Sequence, residues 1–509
     1  MNDVFGMPPS MLHMSWSADW PTDVVPLSLG RDHRPVEPDR LAQPAGSRAH
    51  FFFVAPETSA IHPDAVALAR PFMAERPDVG IFYADDAVVA PDGTVESVHC
   101  KTSFNPALLL ADDYMAFPLL IRADILQKVE LTFDGDMGEA GWYRFCLDAL
   151  MAGVVIDRVP HTLLASPAPR PKAPRRARAA AAARWLAQAG QPFRLGEGRF
   201  GDTSRLQRAF ADYPPVTLVI PTRQSAPIDD VGRAGRPFIA NFLDSLKRST
   251  YPLDRVTVLI GDDREDDTIY RGRDDPFAVK RIVTKLAPGE KFNYAVKMNR
   301  LWRLAETDSM VLMNDDISVG TPDWIESLLT FSMDPDVGGV GARLLFPDGR
   351  IQHAGMFGGI FGVCAHPWYM KRAEEPSYDG WAETHRDCSA VTGAVFATRR
   401  GPMDAVNGFD EGFSLDFNDV DLCFRMRMLG YRIVYTPFAE MTHHEKASRR
   451  SEVAPGSQVA RYMRKWVDVL TDDPMFSPQL LDDTDEVAPR SSASEWVRAS
   501  RDLFPVTRP

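Results

Sequence analysis

Short runs of apolar and β-branched residues alternate with helical patterns along most of this chain. Five runs have the length and composition of buried strands: 51–54, 80–83, 216–220, 256–260 and 310–313. Helical patterns lie between several of them: 64–73, 238–248 and 293–305. Strands that alternate with helices predict an α/β fold with a mostly parallel sheet between helices, and ligands of such sheets bind beyond the carboxyl ends of the strands.

Breaks in this pattern divide the chain into five segments. They are an irregular N-terminal extension (1–47), a smaller α/β domain (48–165), a linker with a helix (166–213), a larger α/β domain (214–450) and a helical tail (451–509). The basic run of the linker, from Lys172 to Arg178, is either a solvated helix face or a contact for an anionic lipid or polymer. In the tail, an amphipathic helix is predicted at 462–470, and it packs on the larger domain, covers a substrate site of that domain or mediates contacts between copies.

Composition narrows the functional classes. The chain has 509 residues, 45% of them apolar, which is enough for at least one sizeable core. Its formal net charge of −13 argues against nucleic-acid binding, because contacts to a phosphate backbone need a basic face. A small phosphate ligand is compatible with this charge if a bound metal ion supplies the positive charge.

Cysteine usage and hydropathy indicate in which cellular compartment the protein works. The five cysteines are widely spaced and include no CxxC pair, so neither a zinc site nor a disulfide framework is indicated, and a reduced, cytoplasmic setting is favoured. No signal-peptide pattern and no apolar run of about 18 residues is visible, so we expect no transmembrane helix. Peripheral membrane association and homo-oligomerisation stay open.

The tripeptide Asn314-Asp315-Asp316 follows a predicted strand of the larger domain. Alternation places Asn314 and Asp316 on one side and Asp315 on the other. Carboxylates beside a diphosphate would repel it unless Mg²⁺ or Mn²⁺ lay between them. The tripeptide is therefore either part of a metal site or an acidic turn that caps the next element.

A second acidic pair, Asp262-Asp263, follows the predicted strand at 256–260. A carboxylate at such a strand end can accept hydrogen bonds from a base or a ribose. The alternative is a solvated acidic turn, since Asp266 and Asp267 follow closely.

A candidate base stands at the start of a predicted helix. Asp419 begins a helical pattern that runs to Leu429. The helix dipole and free amides stabilise a carboxylate there, and it can deprotonate a hydroxyl within hydrogen-bond reach. The alternative is helix capping by Asn418 or Asp419. Asp421 is better explained as the ion-pair partner of Arg425 one turn on.

The pair His443-His444 follows a further apolar run. A neutral imidazole can complete a metal site whose other ligand is Asp316. By itself, a histidine pair is more often a surface or core feature.

Taken in chain order, these motifs resemble glycosyltransferase family 2, and in particular its bacterial polysaccharide and rhamnan-type members, which have the GT-A fold. The matching segments are 219–223, 292–294, 312–316, 321–324, 335–342, 347–355, 390–394, 408–411, 417–421, 431–437 and 443–445. Each piece alone is weak, but their order and spacing together are specific. The resemblance implies a GT-A enzyme that moves a hexosyl or deoxyhexosyl group from a nucleotide-sugar donor, UDP- or dTDP-linked, to a hydroxyl of a glycan or lipid-linked glycan acceptor in surface polysaccharide synthesis.

The resemblance also assigns roles to matching positions. Asp419 is implied as the catalytic base, and Asp316 and His443 as ligands of the divalent metal, with His444 the less favoured alternative. Donor contacts are implied for Pro221, Thr222, Arg223, Asp262, Asn299, Asn314, Asp315, Gly393 and Ala394. Asn314 stands where the family's Asp-x-Asp motif commonly begins with aspartate.

The implied reaction is a single displacement. Asp419 removes the proton of the acceptor hydroxyl as its oxygen attacks the anomeric carbon opposite the departing nucleoside diphosphate, whose charge Mn²⁺ or Mg²⁺ stabilises. A base that activates the acceptor, without an enzyme nucleophile, gives inversion at the anomeric carbon.

Two other functional classes fit the sequence less well. A non-catalytic scaffold or carbohydrate-binding subunit of a polysaccharide assembly complex would be free to lose Asp316, Asp419 and His443, yet all three are present. A sugar nucleotidyltransferase would need a glycine-rich phosphate loop after the first strand, and 221–225 is not one.

The smaller domain shows a weaker likeness to the same family. Its segments 62–65, 83–86, 104–109 and 120–122 resemble parts of a glycosyltransferase half. Where the metal motif is expected the chain has Pro56-Glu57-Thr58, the base region reads 139–143, and the first two strands of a nucleotide half are not recognisable. We predict a truncated, inactive GT-A-like domain, with an unrelated α/β accessory domain as the alternative.

Overall fold

The computed structural model describes residues 20–21, 23–29, 34–36, 50–133, 140–167, 172–199, 201–227, 234–287, 289–444 and 456–499. These residues form two compact units. The first contains the described residues up to Ser204, together with Phe476–Leu481 and those from Ala488 onward. The second contains Arg205–Met475 and Asp482–Val487.

The first unit is built on one mixed sheet. The strands of this sheet are β1 (Val24–Leu29), β2 (Phe51–Pro56), β3 (Ala60–Ile61), β4 (Val79–Val89), β5 (Val95–His99), β6 (Leu119–Arg122) and β7 (Val155–Pro167), and β8 (Phe193–Glu197) lies outside it. Its helices are α1 (Ala65–Glu75), α2 (Pro106–Ala111), α3 (Ala123–Lys128), α4 (Gly141–Met151) and α5 (Arg175–Gln188). The sheet order is β1-β2-β6-β4-β7-β3, with β5 paired to β4.

Two features of the first unit differ from the sequence predictions. Strand β1 lies within the segment predicted to be irregular, because Pro26 interrupts the apolar pattern while the backbone still pairs in parallel with β2. Helix α5 belongs to the core of this unit, into which it buries Ala177, Ala181 and Ala182. The segment predicted to be a linker is therefore partly an integral element of the unit.

The basic run before and within α5 forms internal ion pairs. Arg178 is 4% exposed and donates hydrogen bonds to Asp112 and Asp202, the first at 2.6 Å. Lys172 donates to the other oxygen of Asp112, also at 2.6 Å. Arg178 and Lys172 therefore form neither a solvated helix face nor a contact for an external lipid or polymer. Their charges pair with carboxylates inside the unit.

The second unit is built on a larger sheet. After β9 (Ser204–Arg208) at the boundary come β10 (Val216–Thr222), β11 (Val256–Asp262), β12 (Ala278–Val283), β13 (Ser309–Met313), β14 (Ile317–Val319), β15 (Val337–Leu345), β16 (Ile351–His353), β17 (Phe357–Gly358), β18 (Cys364–Ala365), β19 (Arg386–Asp387), β20 (Val395–Arg399) and β21 (Arg432–His443). The helices are α6 (Phe238–Leu246), α7 (Tyr294–Trp302), α8 (Trp324–Ser332), α9 (Arg400–Ala405), α10 (Asn418–Met428) and α11 (Gly456–Thr471), and α12 (Glu495–Ala499) belongs to the first unit.

The order of the larger sheet is β12-β11-β10-β13-β20-β15-β21-β14. The four strands from β12 to β13 are parallel, and so is the pair β15 and β21. Strand β20 runs antiparallel to β13 and β15, and β14 runs antiparallel to β21. The predicted strands at 216–220, 256–260 and 310–313 lie in β10, β11 and β13, which places the acidic motifs at one edge of the parallel part.

The two sheets share one topology. In the first unit the path β1-β2-β6-β4-β7-β3, with β5 beside β4, has the same chain order and strand directions as β10-β13-β20-β15-β21-β14, with β16 beside β15. Among the described residues of the first unit, β11 and β12 have no counterpart. The sequence suggested that the first two nucleotide-half strands were lost, whereas the structure retains a counterpart of the first, β1.

The hydropathy of the helices and the state of the thiols complete the description of the fold. Among the helices of the described residues, none combines the length and apolar character needed to cross a bilayer. All five cysteines are buried free thiols.

Candidate active site

Two paired strands bring Asp316 and His443 into contact. Strands β14 and β21 are antiparallel, and Ile317 lies opposite His443. Asp316 directly precedes Ile317, and its Oδ1 lies 3.1 Å from Nε2 of His443, with each side chain only 9% exposed. Burial raises the pKa of the Asp316 carboxyl, but the hydrogen bond and charge of a protonated His443 outweigh it, so opposite an imidazolium ring this pKa lies below its ordinary value.

Gln352, on β16, orients the imidazole ring of His443. Its Oε1 lies 2.7 Å from Nδ1 of His443, and because an amide oxygen only accepts, Nδ1 carries the proton. In the neutral ring, Nε2 then presents a lone pair beside the Asp316 carboxylate. Such an electron-rich pair is suited to bind a cation. The sequence assigned no role to Gln352, although it lies in a segment that matches the family.

This pair of groups fits a divalent cation. One imidazole nitrogen and one carboxylate oxygen are ligands that Mn²⁺ accepts. The side-chain nitrogen of Asn314 lies 3.5 Å from Nε2 of His443, at the rim of the same position. Across the described residues, no three or more His, Cys, Asp and Glu side chains are grouped to hold a metal ion. Asp316 and His443 would therefore hold the ion together with ligands from outside the protein.

Asp315 points to the other side of the strand end, as the alternation predicts. Its Oδ2 accepts a hydrogen bond from the hydroxyl of Thr222, at the end of β10. Burial and the adjacent charge of Asp316 raise the pKa of Asp315 to about 7, against the opposing effects of Thr222 and Lys297. Asp315 thus joins the ends of β10 and β13.

A buried lysine, which the sequence did not single out, lies beside the same strand ends. Lys297 on α7 is 7% exposed, and its Nζ donates to Oδ1 of Asp263 at 2.7 Å and to the carbonyl of Thr222 at 3.2 Å. Burial lowers the pKa of this ammonium, and the ion pair with Asp263 opposes that shift. A helical pattern gives no means to separate a lysine that faces a sheet edge from one that faces solvent.

Asp262 is enclosed by protein donors. The carboxylate is fully buried, and its Oδ2 accepts from the side chains of Gln224, Tyr270 and Arg281 at 2.8 to 2.9 Å. Its Oδ1 accepts from the backbone N–H of Arg264 at 3.0 Å. Its oxygens therefore anchor the loop that follows β11, and the nucleoside contact of Asp262 stays a prediction.

Asn299 also has a role different from the predicted donor contact. Its Nδ2 donates to the carbonyl of Phe409 at 2.9 Å and to Glu411 at 3.1 Å. Its Oδ1 accepts from the Trp302 indole and the Phe409 N–H. Three of these four hydrogen bonds brace the turn at 408–411, so the amide has a structural function here, and the donor contact stays a prediction.

Asp419 lies in the first turn of α10, half-buried, against the loop that precedes β20. Its Oδ2 accepts from the N–H of Gly393, and its Oδ1 from the N–H of Val420, both at 2.9 Å. A Cβ added at Gly393 would lie 3.3 Å from the Cβ of Asp419, so a side chain there would crowd the carboxylate. The carbonyl of Ala394 accepts from the N–H of Asn314 at 3.0 Å, which connects the Asp419 carboxylate to the Asn314-Asp315-Asp316 motif.

Contacts therefore join most of the predicted site into one group. It contains Thr222, Asn314, Asp315, Asp316, Gly393, Ala394, Asp419 and His443. Pro221 directly precedes Thr222 in β10. The side chain of Arg223 is exposed just beyond β10. Asp262 and Asn299 are satisfied within the protein, while Lys297 and Gln352 join the group as residues that sequence reasoning missed.

An acidic strand-end motif, an imidazole and a half-buried carboxylate at one edge of a GT-A-type sheet are groups expected of a sugar-transferring enzyme. The chain belongs to glycosyltransferase family 2, since the family model described as "Glycosyltransferase like family 2" matches residues 214–469. This confirms the predicted family and the α/β fold of GT-A type. The match covers the whole candidate site.

Relatives of known name extend the comparison. The O-antigen biosynthesis protein RfbC of Myxococcus xanthus is 27% identical over 456 residues, which are 86% of this chain and 34% of that protein. The N-acetylglucosaminyl-diphospho-decaprenol L-rhamnosyltransferase of Mycobacterium tuberculosis is 28% identical over 274 residues, 48% of this chain and 84% of that protein. A mannosyltransferase from Pyrobaculum calidifontis, solved with GDP-Man and Mn²⁺, is 16% identical with a TM-score of 0.34, covering 58% of this chain and 74% of that one. The chain thus spans about a third of the length of the Myxococcus protein.

Proposed function

We propose that the second unit is a metal-dependent, inverting glycosyltransferase. The observation that carries this proposal is the buried pair of Asp316 and His443, in which Gln352 directs Nε2 toward the carboxylate. A diphosphate donor requires a cation at such an acidic strand end. Asp419, joined to the same group through Gly393 and Ala394, supplies the base.

In this proposal the side chains of the site have separate roles in proton transfer, donor binding and metal binding. Asp419 accepts the proton of the acceptor hydroxyl at the carboxylate oxygens that Gly393 and Val420 hold in place. Thr222 and Lys297 fix the strand ends at which the donor binds, and Lys297 adds positive charge there. A bound divalent ion at Asp316 and His443 supplies charge stabilisation for a leaving diphosphate. With no enzyme nucleophile in this scheme, the anomeric configuration is inverted.

The substrate classes follow from the relatives. The names of the Myxococcus and Mycobacterium proteins refer to O-antigen biosynthesis and to rhamnosyl transfer onto a lipid diphosphate. From these names we propose a role in surface polysaccharide synthesis with a glycan or lipid-linked glycan as acceptor, and from the family resemblance a UDP- or dTDP-sugar as donor.

For the first unit we propose a non-catalytic role. The first residue of β3, Ala60, lies opposite Ala165, as Ile317 in β14 lies opposite His443. Ser59 and Ala165 therefore stand where the second unit has its metal ligands. Helix α4 begins Gly141-Trp142 where α10 begins Asn418-Asp419, so an indole replaces the base. Neither carboxylate nor imidazole chemistry is retained at these positions.

The proposed function is tested with a panel of UDP- and dTDP-sugars. Release of nucleoside diphosphate is measured with Mn²⁺, with Mg²⁺ and after EDTA treatment, with and without glycan acceptors. We expect metal-dependent release from at least one donor. Glycan binding without release from any donor would instead support the scaffold or carbohydrate-binding subunit.

Replacing Gln352 with leucine is expected to weaken Mn²⁺ binding by about 10- to 100-fold, because the imidazole of His443 then loses the partner that fixes its tautomer and orientation. The measurement is a Mn²⁺ titration followed by electron paramagnetic resonance, with UDP or dTDP present. The matched control is Gln352→Glu, which keeps an acceptor for Nδ1 and should retain tight binding. Equal affinity in Gln352→Leu and wild type would remove this role.

A further inference from the structure

The segment that carries Asp419 contains an unfavourable backbone conformation. Phe417, two residues earlier, caps helix α10 with a φ of 64°. A bulky L-residue rarely adopts this left-handed region, and such a conformation persists only where the surrounding structure holds it. The position of Asp419 therefore depends on whatever holds Phe417.

The first contact that fixes Phe417 comes from helix α11. The ring of Phe417 stacks on that of Tyr462, with ring centroids 4.4 Å apart and an interplanar angle of 14°. Tyr462 is fully buried in the middle of α11. The stack immobilises the residue with the strained backbone immediately before the helix start.

A second set of contacts with α11 lies on the other side of Asp419, at Asp421. Asp421 is fully buried, and its Oδ1 accepts from the indole of Trp466 at 3.0 Å and from Nζ of Lys465 at 2.6 Å. Its Oδ2 accepts from Arg425 at 2.7 Å, the ion pair that the sequence predicts. Two residues of α11 thus fix the first turn of α10 just beyond the base.

Lys465 also connects this turn to a neighbouring one. Its Nζ lies 3.0 Å from Asp410, which Arg461 of the same helix contacts at 2.8 Å. Asp410 belongs to the turn that Asn299 braces. Although burial opposes it, pairing with Arg461 and Lys465 lowers the pKa of Asp410 to about 2, so this carboxylate is charged and keeps both partners.

We propose that α11 is a positioning element for the base, with Tyr462 and Lys465 as positioning residues that hold Asp419 against Gly393. Neither residue contacts the reacting groups. This inference rests on the proposed function, in which Asp419 is the base. It gives the helix a task beyond the packing that the amphipathic pattern predicts.

The test compares three variants in the full chain. In Tyr462→Leu we expect kcat to fall between about tenfold and a hundredfold, because displacement of a catalytic group by about 1 Å has that effect. Affinity for UDP or dTDP with Mn²⁺ should stay unchanged. Tyr462→Phe keeps the stacked ring and should retain the wild-type kcat. Leu470→Ala, at another buried position on the same helix, should lower the melting temperature without the loss of kcat.

Hydrogen exchange supplies a readout that needs no activity. The amides of Gly393 and Val420 donate to Asp419, so peptides that contain them should exchange faster in Tyr462→Leu and not in Leu470→Ala. Unchanged exchange in Tyr462→Leu, or equal acceleration in both variants, overturns the inference. Absence of transfer in the wild type with the predicted exchange pattern would count against the proposed function and leave the positioning contact established.

Discussion

Asp419→Asn is expected to lower kcat by about 10²- to 10⁴-fold, the usual contribution of a positioned general base. Asparagine keeps the size of the side chain and one oxygen that accepts from Gly393, but its amide does not take up the proton of an incoming hydroxyl. Initial rates with an active donor from the UDP- and dTDP-sugar panel provide the measurement. Affinity for the free nucleoside diphosphate, measured by calorimetry, should not change.

The control for this substitution is Asp404→Asn, which removes an exposed carboxylate on α9. It should leave both kcat and affinity at the wild-type level. Wild-type turnover in Asp419→Asn would show that another group accepts the proton. A fall in kcat with an equal fall in melting temperature for both variants would point to folding instead of proton transfer.

Asp316→Ala is expected to abolish tight Mn²⁺ binding and to lower turnover by at least about a thousandfold. A catalytic metal ion contributes several kcal/mol of charge stabilisation, and each 1.36 kcal/mol corresponds to a factor of ten in rate. The variant leaves His443 as the remaining side chain of the pair. Turnover and the Mn²⁺ dependence of nucleotide binding are the quantities to measure.

Wild-type protein in EDTA is the matched reference for this variant, since both lack a held metal ion. Their residual rates should agree, and adding Mn²⁺ should restore only the wild type. If Asp316→Ala kept a rate that Mn²⁺ stimulates to the wild-type level, the metal would have to lie elsewhere.

Much of the second unit could be predicted because local pattern determines it. Continuous apolar runs marked β10, β11 and β13, and the acidic motifs at their ends lie at one edge of the sheet. Strand alternation placed Asp315 on the opposite side from Asn314 and Asp316, as observed. The one-turn spacing of Asp421 and Arg425 likewise produced the predicted ion pair.

Partners of buried polar groups could not be predicted, because residues far away in the chain supply them. The imidazole of His443 is oriented by its hydrogen bond with Gln352, and the amide of Asn299 donates a hydrogen bond to the carbonyl of Phe409. Arg281, from the neighbouring strand β12, helps to enclose Asp262. The residue types at the strand ends thus show which side chains are charged. They do not show whether such a side chain is free to contact a ligand or is already paired within the protein.

In the first unit, the topology shared with the larger sheet extends beyond the segments whose sequence resembles the family. Its strands follow the order of the larger sheet, yet β1 contains Pro26 and lies apart from the other recognisable segments. Helix α5 buries Arg178, whose charge made the segment look like a solvated linker. In both cases pairing partners decide the structure, and those partners are visible only in the folded chain.

Calorimetric titration of the wild-type chain with UDP and with dTDP, in Mn²⁺ and in EDTA, tests the central claim most directly. If Asp316 and His443 hold a cation that bridges to a diphosphate, at least one nucleotide should bind with a stoichiometry of one per chain, and only when the metal ion is present. Equal affinity in EDTA, or two nucleotides per chain, would contradict the account.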